Sequence, residues 1–241
     1  MNYINLRHVS TFMRILPSSR IERCTDAHAF YALYTLDRLP QDDIRRISRK
    51  RLSDELDIAE RTTRSLVGIL ESNGLVDVVQ AGIALTNYGK DMLNGLGIRL
   101  VETADTPYVI GRSTSGAILH YTGKPLFKGV EQRNLALGKG ADGCTTWTMR
   151  DGRLFMLPDW PVDDEDPSYA TKLRQTSGLS DGEYLFIVGA KTEHQARLIA
   201  IEVALDALDL SSTGADADAD ETEGDRRRSD TLEPSRSQSS N

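Results

Sequence analysis

The segment from Arg49 to Val76 constrains this chain more than any other. Leu52 and Leu56 stand four residues apart and share one face of a short helix. In a second helix Thr63, Leu66, Val67 and Leu70 fall on one stripe, with Arg61, Thr62, Arg64, Ser65 and Gly68 on the opposite side. One face packs inward and the other stays polar. Asn73-Gly74 ends this helix, because glycine tolerates the left-handed conformation that a helix terminus needs. The chain then extends through Leu75 to Val79, turns at Gln80-Ala81-Gly82 and returns as Ile83-Ala84-Leu85, the pattern of a small β-hairpin.

These residues carry a resemblance. The stretch Arg49 to Leu85 is similar to the winged helix-turn-helix domains of bacterial and archaeal transcription regulators, and Leu70-Glu71-Ser72-Asn73-Gly74-Leu75-Val76 matches their exit from the recognition helix residue for residue. Ala59 departs from the pattern, since such turns often carry a serine N-cap there; losing a cap costs about 1 kcal/mol. The resemblance implies double-stranded DNA as partner, with the second helix in the major groove. Arg61 and Arg64 then donate to guanine or phosphate, Thr62 and Ser65 to either, and Arg49, Lys50 and Arg51 meet phosphates near the first helix. Arg45 and Arg46 extend that basic run. The competing reading is an ordinary solvated helix face on a winged helix that contacts other proteins.

Net charge of −7 looks unfavourable for a DNA-binding chain until it is divided along the sequence. Residues 1–95 carry 13 Lys and Arg against 12 Asp and Glu, residues 96–210 carry 12 against 16, and residues 211–241 carry 4 against 8. The segment with the motif is therefore the least acidic, and the local patch decides binding. The expected affinity is moderate and dependent on a homodimer. No apolar run approaches the 18 or so residues of a membrane span, and the N-terminus lacks a signal-peptide pattern, so the expectation is a cytoplasmic protein without a membrane partner. Cys24 and Cys144 match no metal or redox spacing and are expected to be buried apolar thiols.

The expected fold class is α+β: a winged helix-turn-helix domain over residues 20–97, a mixed-sheet α/β domain over 106–210, and a disordered acidic tail over 211–241. Thr25 to Leu39 and Thr86 to Leu96 are the expected flanking helices of the first domain. In the second, Tyr108–Ile110, Ala117–Tyr121, Cys144–Met149, Arg153–Leu157 and Glu183–Val188 are expected strands, with helices over Val130–Leu137 and Glu193 to about Leu208. Asp151-Gly152 is a strong hairpin signal. The last helix is apolar on nearly all sides, which predicts burial against a sheet or another subunit.

Two phosphate-like motifs need context. Gly138-Lys139-Gly140-Ala141-Asp142-Gly143 spells G-x-G-x-x-G, but a helix precedes it and a strand follows, the reverse of a dinucleotide site. Gly189-Ala190-Lys191-Thr192 joins a strand to a helix without completing a Walker A loop; a capped βα turn is the plain reading, and an anion held by Lys191 and Thr192 the sharper one. Arg133 beside the Gly-rich turn is a further candidate for a small-molecule effector. No catalytic constellation and no metal-ligand spacing emerges, so neither enzyme activity nor a cofactor is expected, and Asp163-Asp164-Glu165-Asp166 is expected to be a solvated acidic loop. The layout of winged helix, then α+β domain with the turn Gly140 to Thr146, resembles an archaeal two-domain family of unknown function. The combined expectation is a dimeric DNA-binding transcriptional regulator with an effector or dimerisation domain; the alternative is a winged-helix interaction or scaffold protein that binds no DNA.

Overall fold

The computed structural model describes residues 5–15, 24–39, 46–103, 106–120, 126 and 128–208; the acidic tail lies outside these residues. Four helices and a hairpin build the first unit: α1 (Leu6–Phe12), α2 (Asp26–Asp37), α3 (Arg49–Leu56), α4 (Glu60–Ser72), β1 (Val76–Val79) and β2 (Gly82–Leu85), closed by α5 (Asn87–Gly95). The N-caps explain where these helices begin. Ser48 accepts from the Arg51 amide at 3.2 Å and Thr86 from the Gly89 amide at 2.9 Å, while Thr25 and His28 form a capping box at the start of α2. The stripe seen in the sequence is the buried face: Thr63, Leu66, Val67 and Leu70 are buried on α4, and Leu52 and Leu56 on α3. Gly74 takes φ +72, as the helix exit requires. Ile47 adds a bridge to Ile83 of the hairpin, with amide-to-carbonyl distances of 3.0 and 2.9 Å.

The second unit is a six-stranded sheet in the order β3-β4-β8-β5-β6-β7. Its strands are β3 (Ile98–Val101), β4 (Ser113–His120), β5 (Gly143–Arg150), β6 (Arg153–Met156), β7 (Trp160–Pro161) and β8 (Glu183–Ala190). Among the described residues its strand pairs are all antiparallel, and the one parallel contact is the isolated bridge Met149–Asp181. The α+β class holds, but the sheet is antiparallel where a mixed one was expected. The expected alternation came from helices between strands; here the helix after β4 leads to β5, which runs the same way as β4, but β8 is inserted between them and pairs antiparallel with both. The sheet also begins at Ile98, ahead of Thr106. Tyr108–Ile110, expected as a strand, is a turn.

Helices cover both faces of the sheet. On one side lie α6 (Val130–Gly138) and α9 (residues 193–208), packed on Leu119, Cys144, Phe186 and Val188. On the other lie α7 (Val162–Glu165) and α8 (Pro167–Ser177), packed on Ile118, Trp147, Leu185 and Ile187. The acidic run is therefore structural: Asp163 accepts from the Leu154 amide at 2.6 Å and pairs with Arg174, Asp164 pairs with Arg153, and Asp166 caps α8 through the Tyr169 amide at 3.0 Å. The expected solvated loop is corrected to a short helix and a cap. At the β5–β6 hairpin Asp151 and Gly152 both take positive φ, at 52° and 74°, the geometry a two-residue type I′ turn demands.

A single apolar cluster runs through both units. Ala196, Ala200, Ile201, Val203, Ala204, Ala207 and Leu208 of α9 are each fully buried. That explains the helix's apolar circumference, because α9 lies between the sheet and α2. Each fully buried Leu, Ile or Val contributes about 1.5–3 kcal/mol relative to exposure, so this layer dominates the union of the two units. Polar groups at its edge support the assignment: Arg197 donates to the Tyr31 hydroxyl at 2.7 Å, and Lys139 pairs with Glu202 at 2.8 Å.

Burial pushes the Asp26 carboxyl up from 3.8 to about 6, the nearby Glu202 carboxylate pushes the same way, and Lys139 opposes them. A carboxyl raised on folding holds its stabilising contribution below about 3.8 and loses it as pH climbs through about 6. Urea denaturation of the wild type and of Asp26→Asn should diverge across this window, the variant being the more stable at pH 7. A constant difference between them from pH 4 to pH 7 would refute the strain at Asp26.

Candidate nucleic-acid interface

Helix α4, expected from the sequence to be the recognition helix, follows a turn of three residues. Asp57 takes the left-handed conformation at φ 48, the Ser53 hydroxyl donates to the Ile58 carbonyl at 2.6 Å, and Ala59 occupies the N-cap with no side-chain hydrogen bond. The missing cap lowers stability by about 1 kcal/mol, whereas burying Leu66, Val67 and Leu70 supplies several, so the helix forms without it. Thr63 adds a bond from its hydroxyl to the Ala59 carbonyl at 3.3 Å. Glu60 places an acid in the first turn, where the helix dipole favours it.

Arg61, Arg64 and Ser65 are exposed on this helix and Thr62 is half-buried. Neither arginine has an ion pair among the described residues. The Ser65 hydroxyl donates back to the Arg61 carbonyl at 3.3 Å, which leaves its oxygen as an acceptor. Gly68 faces open space on the same side. An outer surface with two guanidiniums unpaired among the described residues, two hydroxyls and no bulky apolar group is suited to a groove lined by bases and phosphates.

The basic run before α4 is divided. Lys50 and Arg51 are exposed on α3, whereas Arg49 is half-buried with its Nε enclosed and unpartnered. Arg46 is committed to the hairpin: its guanidinium reaches Asp77 at 2.8 Å and the Gly82 carbonyl at 3.4 Å. A pair this exposed is worth about 0–1 kcal/mol, so its effect is to fix the wing's position. Arg45 falls outside the described residues. Among the described residues of this segment four cations remain without an ion pair: Lys50, Arg51, Arg61 and Arg64.

Of the candidate effector residues, Thr192 has a structural partner, and Lys191 and Arg133 stand on the surface. Thr192 caps α9, accepting from the Gln195 amide at 3.1 Å, and the Gln195 side chain donates to the Gly140 carbonyl at 3.2 Å instead of closing a capping box. Lys191 and Arg133 are exposed. The two glycine motifs meet each other: the Asp142 amide donates to the Gly189 carbonyl at 2.8 Å, and the backbone of Ile110 crosses both. A Cβ on Gly189 would stand 2.1 Å from the Ile110 carbonyl oxygen, and one on Gly143 would stand 2.9 Å from it. Glycine is needed there for a chain crossing. Burial pushes the Cys24 and Cys144 thiols up to about 12; Cys144 is buried and Cys24 only half-buried. Among the described residues no group of three or more His, Cys, Asp or Glu is arranged to hold a metal ion, and no helix is long and apolar enough to cross a membrane.

Sequence reasoning missed the groups that join the units. His194 lies beside the Leu56 backbone at the end of α3, and its ring meets Tyr31 edge-on with centroids 6.0 Å apart. Burial holds the His28 and His194 imidazoles below the ordinary histidine range. No local signal in the sequence points to these contacts, because Arg197 and Tyr31 are 166 residues apart.

Fold and site together define a winged helix-turn-helix unit carried on an antiparallel α+β unit. Comparison with known proteins agrees. Residues 43–99 match the family model described as CggR N-terminal DNA binding domain, and residues 110–208 match the one described as Domain of unknown function (DUF4443). Among solved structures, a hypothetical protein from Pyrococcus horikoshii OT3 is similar with a TM-score of 0.55 and 23% identity, covering 73% of this chain and 90% of that one. At this identity the likeness speaks for the fold. Among curated proteins no match is found.

Ala59 has the extended conformation of an N-cap, φ −60 and ψ 144, and is exposed. Ala59→Ser should therefore raise the stability of the chain by about 1 kcal/mol in urea denaturation. An unchanged or lowered midpoint would show that the turn cannot present a capping hydroxyl.

Proposed function

We propose that this chain is a DNA-binding transcriptional regulator that acts as a homodimer, with α4 in the major groove and the second unit as effector or dimerisation domain. The observation that carries this reading is the outer face of α4, where Arg61 and Arg64 stand exposed without ion pairs among the described residues. The match of residues 43–99 to a DNA-binding family model supports it. Arg61, Thr62, Arg64 and Ser65 address base edges and phosphates, and Lys50 and Arg51 address the phosphate backbone. A dimer follows from the small number of cations, because one protomer with four phosphate contacts binds weakly at physiological salt. The reading is of a binding protein and assigns no catalytic step.

Gel-shift titration on the DNA upstream of the chain's own gene tests the proposal. Arg64→Ala should weaken binding by about 1–3 kcal/mol and relax preference at one base position. Lys50→Ala should weaken binding to all sequences alike and flatten the salt dependence by about one unit of slope. Salt-independent binding, or an Arg64→Ala variant that binds as the wild type does, contradicts the mechanism.

A further inference from the structure

A cleft of about 570 Å³ opens where Tyr34, Asp37 and Arg38 at the end of α2 stand across from Leu93 and Ile98. Its walls belong to both units, α2 and α5 on one side and strands β3, β4 and β8 on the other. The volume is that of a small-molecule site. Most of its charges are already engaged. Glu183 meets Arg99 at 3.6 Å, His120 at 3.8 Å and the Ser180 amide at 2.9 Å. Asp181 accepts from the Gly152 amide at 2.9 and 3.2 Å, and Arg99 donates to the carbonyls of Ser177 and Gly178 at 2.7 and 3.1 Å.

Two charges are left with capacity. Arg38 has no ion pair among the described residues, and its guanidinium lies 4.8 Å from the centroid of the Tyr34 ring. Asp37 is approached by Lys90 at 3.7 Å, a long contact to a half-exposed side chain. These are adjacent residues of opposite sign beside the half-buried Tyr34, with the nearly covered Leu93 and Ile98 below it. A ligand that carries only negative charge would face Asp37, Asp181 and Glu183, and one that carries only positive charge would leave Arg38 unanswered. A ligand with a carboxylate and an ammonium on one carbon answers both.

We propose that this cleft binds a free α-amino acid with a large apolar side chain. Its carboxylate pairs with Arg38, its ammonium with Asp37, and its side chain lies against Tyr34, Leu93 and Ile98. As the effector of the regulator it rests on the function proposed above. A ligand seated between α2 and the sheet edge favours the arrangement of the two units that it bridges best, which is how it would bias DNA binding.

Isothermal titration of the full chain, without DNA, tests the site separately from the regulator reading. L-Phenylalanine should bind, whereas 3-phenylpropionate, which lacks the ammonium, and 2-phenylethylamine, which lacks the carboxylate, should each bind at least about tenfold more weakly, the scale of one lost charge-assisted hydrogen bond. Arg38→Ala should weaken L-phenylalanine by a similar factor. Asp37→Asn should weaken L-phenylalanine and 2-phenylethylamine but leave 3-phenylpropionate unchanged. Lys172→Ala, exposed on α8 and outside the cleft, should bind as the wild type does. No detectable binding of L-phenylalanine, equal binding of either single-charge analogue, or wild-type affinity in Arg38→Ala overturns the proposal. Loss of DNA binding in gel shift with L-phenylalanine binding intact would instead count against the regulator reading alone.

Discussion

The structure depends on the burial of α9 from two sides. A helix that packs against a sheet on one face normally shows polar residues on the other, and this one shows Ala, Ile, Val and Leu almost all round. The second face is covered by α2, a helix of the winged unit, so the two units share one apolar cluster. Removing either partner would expose a stripe of fully buried side chains to water. The winged unit is therefore a layer of the whole molecule, held by the same hydrophobic term that holds the sheet.

Around that layer the polar contacts set geometry more than they add stability. Arg197 and the edge-on His194 ring, both against Tyr31, fix how α9 lies across α2, and Lys139 with Glu202 fixes it against α6. Their individual worth is small where they are exposed, but each is directional. The end of α3 lies beside the start of α9, where Asp57 and the Leu56 backbone act on the His194 ring. Since α3 leads into α4 through three residues, a shift of α9 has a short route to the helix proposed to meet DNA.

Much of the winged unit was legible because its determinants are local: the α4 stripe, the Asn73-Gly74 exit and the hairpin all involve neighbours within about ten residues. The Asp151-Gly152 turn was legible for the same reason. Arg46 shows where this runs out. It belongs to a cationic run in sequence, yet its partner Asp77 is 31 residues away, and nothing local separates it from the free Lys50 and Arg51. Tyr108–Ile110 looked like a strand because it is apolar, but it crosses the ends of β5 and β8 over two glycines. Helix α8 had its own signal in Asp166 followed by Pro167, a cap and a first-turn proline, which the surrounding acids masked. Of the candidate DNA-contacting residues, the exposed positions on α4 followed from helical periodicity, whereas the half-burial of Arg49 depended on tertiary packing.

Between the end of α5 at Gly95 and the start of β3 at Ile98 stand only Leu96, fully buried, and Gly97. The chain thus has no slack arm between the two units, and the distance from the sheet to α4 is set by packed helices. In the proposed homodimer such a molecule acts as a fixed ruler. The separation of its two recognition helices would be dictated by whichever surface pairs the protomers, so an operator could gain or lose a base pair between half-sites only at the cost of distorting DNA or protein.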